Sequence, residues 1–271
     1  LSLLAGLAAI LAYPVQASVG LWGWYSTIVA LPLALLSLIL LEKAHDGNRA
    51  ITAVLGGSVL GLSVLSHHMT AFAFGIFLPI WLIYHFLTKP DLVNHLFKVS
   101  ILFVLGVTIT TIWWIIPWAT SLLEYGFERE IPGIWSFSLH RYFKASLDVE
   151  LIGSHIYPSY IGLGLIFMAV GGLIHTLTNV SRTTPYAILL LLIIALSLGE
   201  AVNPIVKLWP FSSLDVARFQ VFMTPLIAVV GLPFLKNAAK TITSLVALVV
   251  KKNLRTSLAT GLIIALIAGP M

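Results

Sequence analysis

The chain is a succession of apolar runs, most of them 15 to 24 residues long, separated by short clusters of charge, proline and glycine. About 20 apolar residues in helical form cross a bilayer core, and lipid tolerates no unpaired backbone. The runs are Leu1–Val15, Trp24–Leu41, Ile51–Leu65, Ala71–Leu87, Phe97–Thr120, Ile161–Thr178, Tyr186–Leu198, Ala217–Leu235 and Leu258–Ala268, the first and last read as truncated. Membrane-spanning strands would instead show ten-residue segments of alternating hydrophobicity. The expected fold is therefore all-α, a polytopic transmembrane helical bundle of about eight or nine helices. Composition agrees: 59% of residues are hydrophobic and 9% charged, against about 25% charged in soluble domains, so a water-facing surface cannot be coated.

The first residue, Leu1, lies inside one apolar run and the last, Met271, follows another, so the 271 residues read as the middle or later part of a longer protein. Leu1–Ala12 carries no basic flank or small-residue cleavage site and is not read as a signal peptide. The absence of Cys excludes disulfides, thiolate metal sites and cysteine nucleophiles.

The charges sort by side when successive spans alternate across the membrane. Lys43, Arg49, Lys89, Lys98, Arg182, Lys236, Lys240, Lys251, Lys252 and Arg255 fall on one side with Glu42, Asp46 and Asp91, a net +7. Arg129, Arg141, Lys144, Lys207 and Arg218 fall on the other with seven acids, a net −2. The positive-inside rule makes the first side cytoplasmic, and the expected location is the cell membrane. The overall +5 is thus an orientation signal. No basic stripe with interleaved aromatics is present, so no nucleic acid is expected as a partner.

This gives four regions: transmembrane helices over 1–120, an extracytoplasmic loop with interfacial segments over 121–160, transmembrane helices over 161–235, and a final segment, 236–271. The third includes an outer interfacial turn at 199–216, whose apolar stretch Ile205–Phe211 is too short to cross. The last combines a cytoplasmic amphipathic helix, Asn237–Asn253, with a truncated span. The loop Ser121–Tyr160 is long enough to be read as functional, and its aromatics Trp135, Phe137, Tyr142 and Phe143 suit the membrane surface.

Few residues can carry chemistry. Ser66-His67-His68 joins two spans at the outer face, with Thr70 following. In so apolar a stretch the imidazoles need polar partners. Phosphate donors, metal ligands, a proton relay, or hydrogen bonds to open helix-end carbonyls all stay open. Neighbouring helical side chains point about 100° apart, so the pair is not expected to chelate one ion together. Arg218 follows Asp215 at the outer entrance of an otherwise uncharged span. It can snorkel to headgroups or hold a phosphate bidentately. The loop acids Glu124, Glu128, Glu130, Asp148 and Glu150 are candidates for a general base or for Mg²⁺ or Mn²⁺ ligation, against the reading that they are a solvated surface. Gly56, Gly57 and Gly61 read as small-residue helix packing, since no strand precedes them and no Gly-Lys-Ser/Thr follows. His45, His85, His95 and His175 sit near cytoplasmic span ends and are expected at the interface.

Four stretches carry a family resemblance: Ala12-Tyr13-Pro14 with Leu21-Trp22-Gly23-Trp24 and Leu31-Pro32-Leu33, then Leu65-Ser66-His67-His68-Met69-Thr70-Ala71, Ser159-Tyr160-Ile161-Gly162, and Gly199 to Pro225 through Pro210-Phe211 and Ala217-Arg218-Phe219. Together they resemble the membrane proteins labelled 6-pyruvoyl-tetrahydropterin synthase-related, which in turn resemble the C-type glycosyltransferase fold. The family label does not bring a pterin site, and neither pterin nor haem is expected.

That resemblance implies transfer of a sugar from a polyprenyl phosphate donor at the outer face. It places Arg218, His67 and His68 at the donor phosphate. It puts the catalytic acid, with or without Mg²⁺ or Mn²⁺, in a first outer loop upstream of Leu1, leaving Asp215, Glu128 and Glu130 as the acids at hand. The implied partners are membrane lipids and a polyprenyl phosphate-linked sugar. The alternative is a noncatalytic integral-membrane subunit or scaffold that binds membrane or extracytoplasmic proteins through its outer loop.

Overall fold

The computed structural model describes residues 25–47, 49–125, 163–198, 203–208, 211 and 219–249. Among the described residues there is no strand. The helices are α1 (Tyr25–Gly47), α2 (Ala50–Ser66), α3 (His68–Gly75), α4 (Phe77–Thr88), α5 (Val93–Tyr125), α6 (Leu163–Thr178), α7 (Thr184–Ser197) and α8 (Gln220–Val249), with 3-10 turns at Pro90–Leu92 and Pro204–Lys207. The all-helical fold expected from the continuous apolar runs is the one observed, because a helix satisfies its backbone polar groups within one segment.

Four stretches are long and apolar enough to cross a membrane: Ser26–Gly47, His68–Thr88, Pro90–Ser121 and Val221–Ser244. Three further apolar helices are shorter: Ala50–Ser66, Leu163–Thr178 and Thr184–Ser197. The runs expected at Leu1–Val15 and Leu258–Ala268 lie outside the described residues. The span that starts at His68 is broken between α3 and α4. Pro79 supplies the reason: it lacks an N–H, and its ring opposes the carbonyl four residues back, that of Gly75.

Close backbone approach organises one half of the bundle. α2 packs against both α1 and α5. A Cβ on Gly57 would run into the carbonyl of Phe103, and one on Gly106 into that of Val54. Gly61 likewise leaves room for Thr110, whose Cβ would stand 2.7 Å from an added methyl. The small-residue reading of Gly56, Gly57 and Gly61 is therefore what the helices use. Ser63 Oγ donates to the carbonyl of Ala30 at 2.9 Å, a polar tie between α2 and α1.

The second half repeats the device, with Gly172 of α6 facing the Val230 carbonyl of α8, 2.6 Å from where a Cβ would stand. α7 packs on α8 and α4, joining the halves. Phe74, Phe77, Trp81, Phe219 and Phe222 are fully buried, and Phe74 meets Phe222 across the halves. The outside is apolar too: Leu55, Ile83, Ile101, Ile109 and Phe167 are exposed, as a helix bathed in lipid requires.

Two boundaries differ from the sequence expectation. α5 runs to Tyr125, so the connection after it begins later than Ser121 and Glu124 belongs to the helix. Pro117 does not end α5, as proline inside an apolar membrane helix is tolerated where neighbours re-satisfy the freed carbonyl. The amphipathic segment from Asn237 is not a separate helix: α8 continues through it to Val249. No Pro or Gly follows Pro233 within α8, and Thr241 and Ser244 return their hydroxyls to the carbonyls of Asn237 and Lys240.

Candidate functional site

The turn between α2 and α3 is built around His67. Its backbone is extended, at φ −162° and ψ 99°, so it both ends α2 and caps α3. Its N–H donates to the Ser63 carbonyl at 2.8 Å, closing α2. Its ring Nδ1 accepts the Thr70 N–H at 3.3 Å and lies 2.8 Å from Thr70 Oγ1, in the manner of an N-cap side chain. An accepting Nδ1 assigns the ring proton to Nε2, which faces Thr27 Oγ1 at 3.4 Å. Thr27 and Thr70 are both buried. His67 is thus held by α1 and α3 together.

His68, the first residue of α3, is exposed instead. Its ring centroid stands 5.8 Å from that of His67, with the planes 33° apart. The two imidazoles are side by side but present different atoms to different surroundings, in keeping with the angular argument from helix geometry. A helix N-terminus adds partial positive character beside His68.

Two aromatic contacts bring the segment before α8 to this end. Phe211 meets Phe72 edge-on at 5.8 Å, and Phe222 of α8 meets Phe74 at 6.0 Å. Phe219, next in sequence to Arg218, is fully buried. The 3-10 turn Pro204–Lys207 is fastened to α7 by Asn203 Nδ2 donating to the Ala195 carbonyl at 3.1 Å, with Val206 buried beneath. Arg218, Asp215, Glu128 and Glu130 lie outside the described residues. Among the described residues no group of three His, Asp or Glu side chains is arranged to hold a metal ion.

The other end of the bundle holds a cluster that the sequence reading missed. Trp81 Nε1 donates to Glu42 Oε1 at 3.0 Å, tying α4 to α1. His45 and His85, at the ends of their candidate spans, are packed into the bundle at 6% and 4% exposure, and their rings lie 4.5 Å apart. His95 of α5 stacks on His45 at 5.2 Å, and its Nε2–H donates to the His45 carbonyl at 2.9 Å. Arg182 reaches Asp46 at 2.6 Å, and Tyr84 donates to the Ser181 carbonyl at 3.0 Å.

The signal was present in the spacing. His45 continues the buried stripe Ala34, Leu38, Leu41, and His85 continues Phe77, Trp81 at intervals of four. Position on the core face, rather than nearness to a span end, sets burial. The cluster gathers three connections, α1–α2, α4–α5 and α6–α7, at one end of the bundle and ties the helices together there.

The described helices thus place an exposed histidine beside a fixed one at one end and a buried imidazole cluster at the other. The chain matches the family described as the 6-pyruvoyl-tetrahydropterin synthase related domain, a membrane protein family, over residues 2–266. No curated protein and no solved structure matches it. With nearly the whole sequence covered and the apolar helices in place, the chain belongs to the 6-pyruvoyl-tetrahydropterin synthase-related family of membrane proteins.

Proposed function

We propose that the protein is a multi-pass, glycosyltransferase-like enzyme of the cell membrane that moves a sugar from a polyprenyl phosphate donor at the end of the bundle bearing His67 and His68. The charge asymmetry between the connections supports an outward-facing orientation of that end. The observation that carries the reading is His68: an exposed imidazole on the first turn of α3, beside a His67 ring already immobilised by Thr27 and Thr70. A departing phosphate needs fixed donors and positive charge more than it needs a covalent partner.

In the proposed reaction an acceptor oxygen attacks the anomeric carbon of the donor sugar. The bond from that carbon to the phosphate oxygen breaks with inversion, and polyprenyl phosphate leaves with the electron pair. The acceptor's proton passes to a carboxylate, for which Asp215, Glu128 and Glu130 are the candidates on this chain. His68 and Arg218 receive the phosphate, and His67 positions His68. The uncharged lipid-facing surfaces of the helices suit the polyprenyl tail.

The test is transfer from a radiolabelled polyprenyl-phosphate hexose in proteoliposomes. Transfer by the wild type that is lost in Arg218→Ala and His68→Ala, with both variants still inserted and folded, supports the proposal. Absence of donor binding in the wild type overturns it. A second reading, a noncatalytic membrane subunit, is favoured by the structural use of both His67 ring nitrogens, Nδ1 in the cap of α3 and Nε2 toward Thr27 of α1. It predicts co-purification of a partner protein and no donor affinity.

A further inference from the structure

We propose that His45, His85 and His95 form an acid-sensitive latch, closed while their imidazoles are neutral and opened by protonation, that holds α4 against α1 and α5 at the end of the bundle away from His67 and His68. His45 and His85 are both more than nine-tenths buried, with ring centroids 4.5 Å apart. His95 of α5 stacks on His45 at 5.2 Å. The Nδ1 atoms of His45 and His85 are buried and have no hydrogen-bond partner among the described residues. Unpaired buried polar atoms are costly, and two of them in contacting rings need a reason beyond packing.

The rings are also what joins these helices. α1 packs closely on α2, whereas α1 and α4 are tied in this cluster through side chains. Trp81 Nε1 donates to Glu42, and the Trp81 ring lies 5.3 Å from that of His45 and 4.7 Å from that of His85. Three rings from two helices thus pack as one group. The His45 carbonyl, which accepts from His95 Nε2 at 2.9 Å, adds α5 to it.

A neutral imidazole carries one N–H and one bare nitrogen, whereas an imidazolium carries two donors and a charge. Protonating His45 or His85 therefore adds a buried donor that has no acceptor, and sets a cation 4.5 Å from a second titratable ring. An apolar interior tolerates neither well. The surrounding charges do not offset the change. On α1, Glu42 is engaged by Trp81, with Tyr84 of α4 and Tyr186 of α7 close enough to feel its charge, and Asp46 is paired with Arg182 from the α6–α7 turn. Lys89 at the end of α4 and Arg182 bring positive charge toward both rings, and His95 adds to it at His45 when charged. Acid thus separates the rings and lets water in, the way histidine clusters switch interfaces. The inference stands apart from the transferase reading, since it concerns the opposite end of the bundle.

The experiment is double electron–electron resonance on the protein in liposomes, spin-labelled at Leu87→Cys on α4 and Ile51→Cys on α2, both exposed and uncharged positions in a chain that has no Cys of its own. α2 is the fixed reference, because its glycines bring it into backbone contact with α5. The separation is expected to widen between about pH 8 and about pH 5, and to return when the pH is restored. His45→Phe with His85→Phe keeps the ring packing and the His45 backbone carbonyl but removes both titrating side chains, so its separation should be the same at both pH values. Each single variant is measured as well and should reduce the response, which keeps the proposal testable if the double variant does not fold. A wild-type separation that does not change with pH, a widening that does not reverse, or a response undiminished in the folded phenylalanine variants overturns the proposal.

Discussion

The indole N–H of Trp81 donates to the carboxylate of Glu42 at 3.0 Å, although Trp81 is itself fully buried on α4 and Glu42 lies near the end of α1. The pair fastens one end of the broken α3–α4 span to α1. His67 and Thr27 fasten the other end to the same helix. A span interrupted at Gly75–Ile76 is thereby held to a single continuous neighbour at both extremities.

Trp81→Phe keeps the ring packing and removes the donor to Glu42. A hydrogen bond to a carboxylate contributes about 1–3 kcal/mol, so the variant should unfold at a lower temperature in detergent micelles. Glu42→Gln, which retains an acceptor, should lose less. Equal stability of Trp81→Phe and wild type would show that the contact contributes nothing.

Glycine substitutions should separate into two classes. Gly57→Ala and Gly106→Ala place a methyl against the backbone of the facing helix, which must move away. The expected cost is about 3 kcal/mol or more. Gly75→Ala meets nothing within 4 Å, so it should be neutral or slightly stabilising, by about 0.5 kcal/mol. Thermal unfolding of the three variants checks the order, and a tolerated Gly57→Ala would contradict the packing of α2 on α5.

The two adjacent histidines should behave oppositely. His67→Ala removes a helix cap and the tie to Thr27, with an expected loss of about 1–2 kcal/mol. His68→Ala, at an exposed position, should change stability by less than about 0.5 kcal/mol. If the proposed function holds, donor binding falls in His68→Ala at unchanged stability. Donor binding intact in His68→Ala removes that residue from the site.

The Arg182–Asp46 ion pair is exposed on both partners, at 69% and 42%. Solvent and salt screen such pairs, so Arg182→Gln should stay within about 1 kcal/mol of wild type. Any loss should shrink further at high ionic strength. A large, salt-independent loss would mean that Arg182 supports the buried histidines beneath it.

Orientation can be read by labelling, because the chain contains no Cys. A membrane-impermeant maleimide applied to intact cells should label Glu124→Cys and spare Arg49→Cys. The reverse pattern would invert the bundle and move the His67–His68 end inside.

Much of this was legible in the residues. Continuous apolar runs cannot form anything but helices in lipid, and the glycines of α2 announced close packing because no other residue lets backbones touch. The His67–His68 turn was visible as a polar pair in an apolar stretch. Its division of labour was not, since the hydrogen bond to Thr27 comes from a residue forty positions away. The packing of His45 and His85 into the bundle was not legible, because nearness to a span end says nothing about which face of the helix a side chain occupies.

The sequence by itself determined that the chain is helical and where its apolar segments lie, since both depend only on local composition and period. The tertiary structure decided that α3 and α4 form one broken span, that α8 runs on past Lys240, and that His45, His85 and His95 meet beside Trp81 and Glu42. Those features depend on which helix faces meet, and a helix face acquires partners only when other helices, distant in sequence, pack against it.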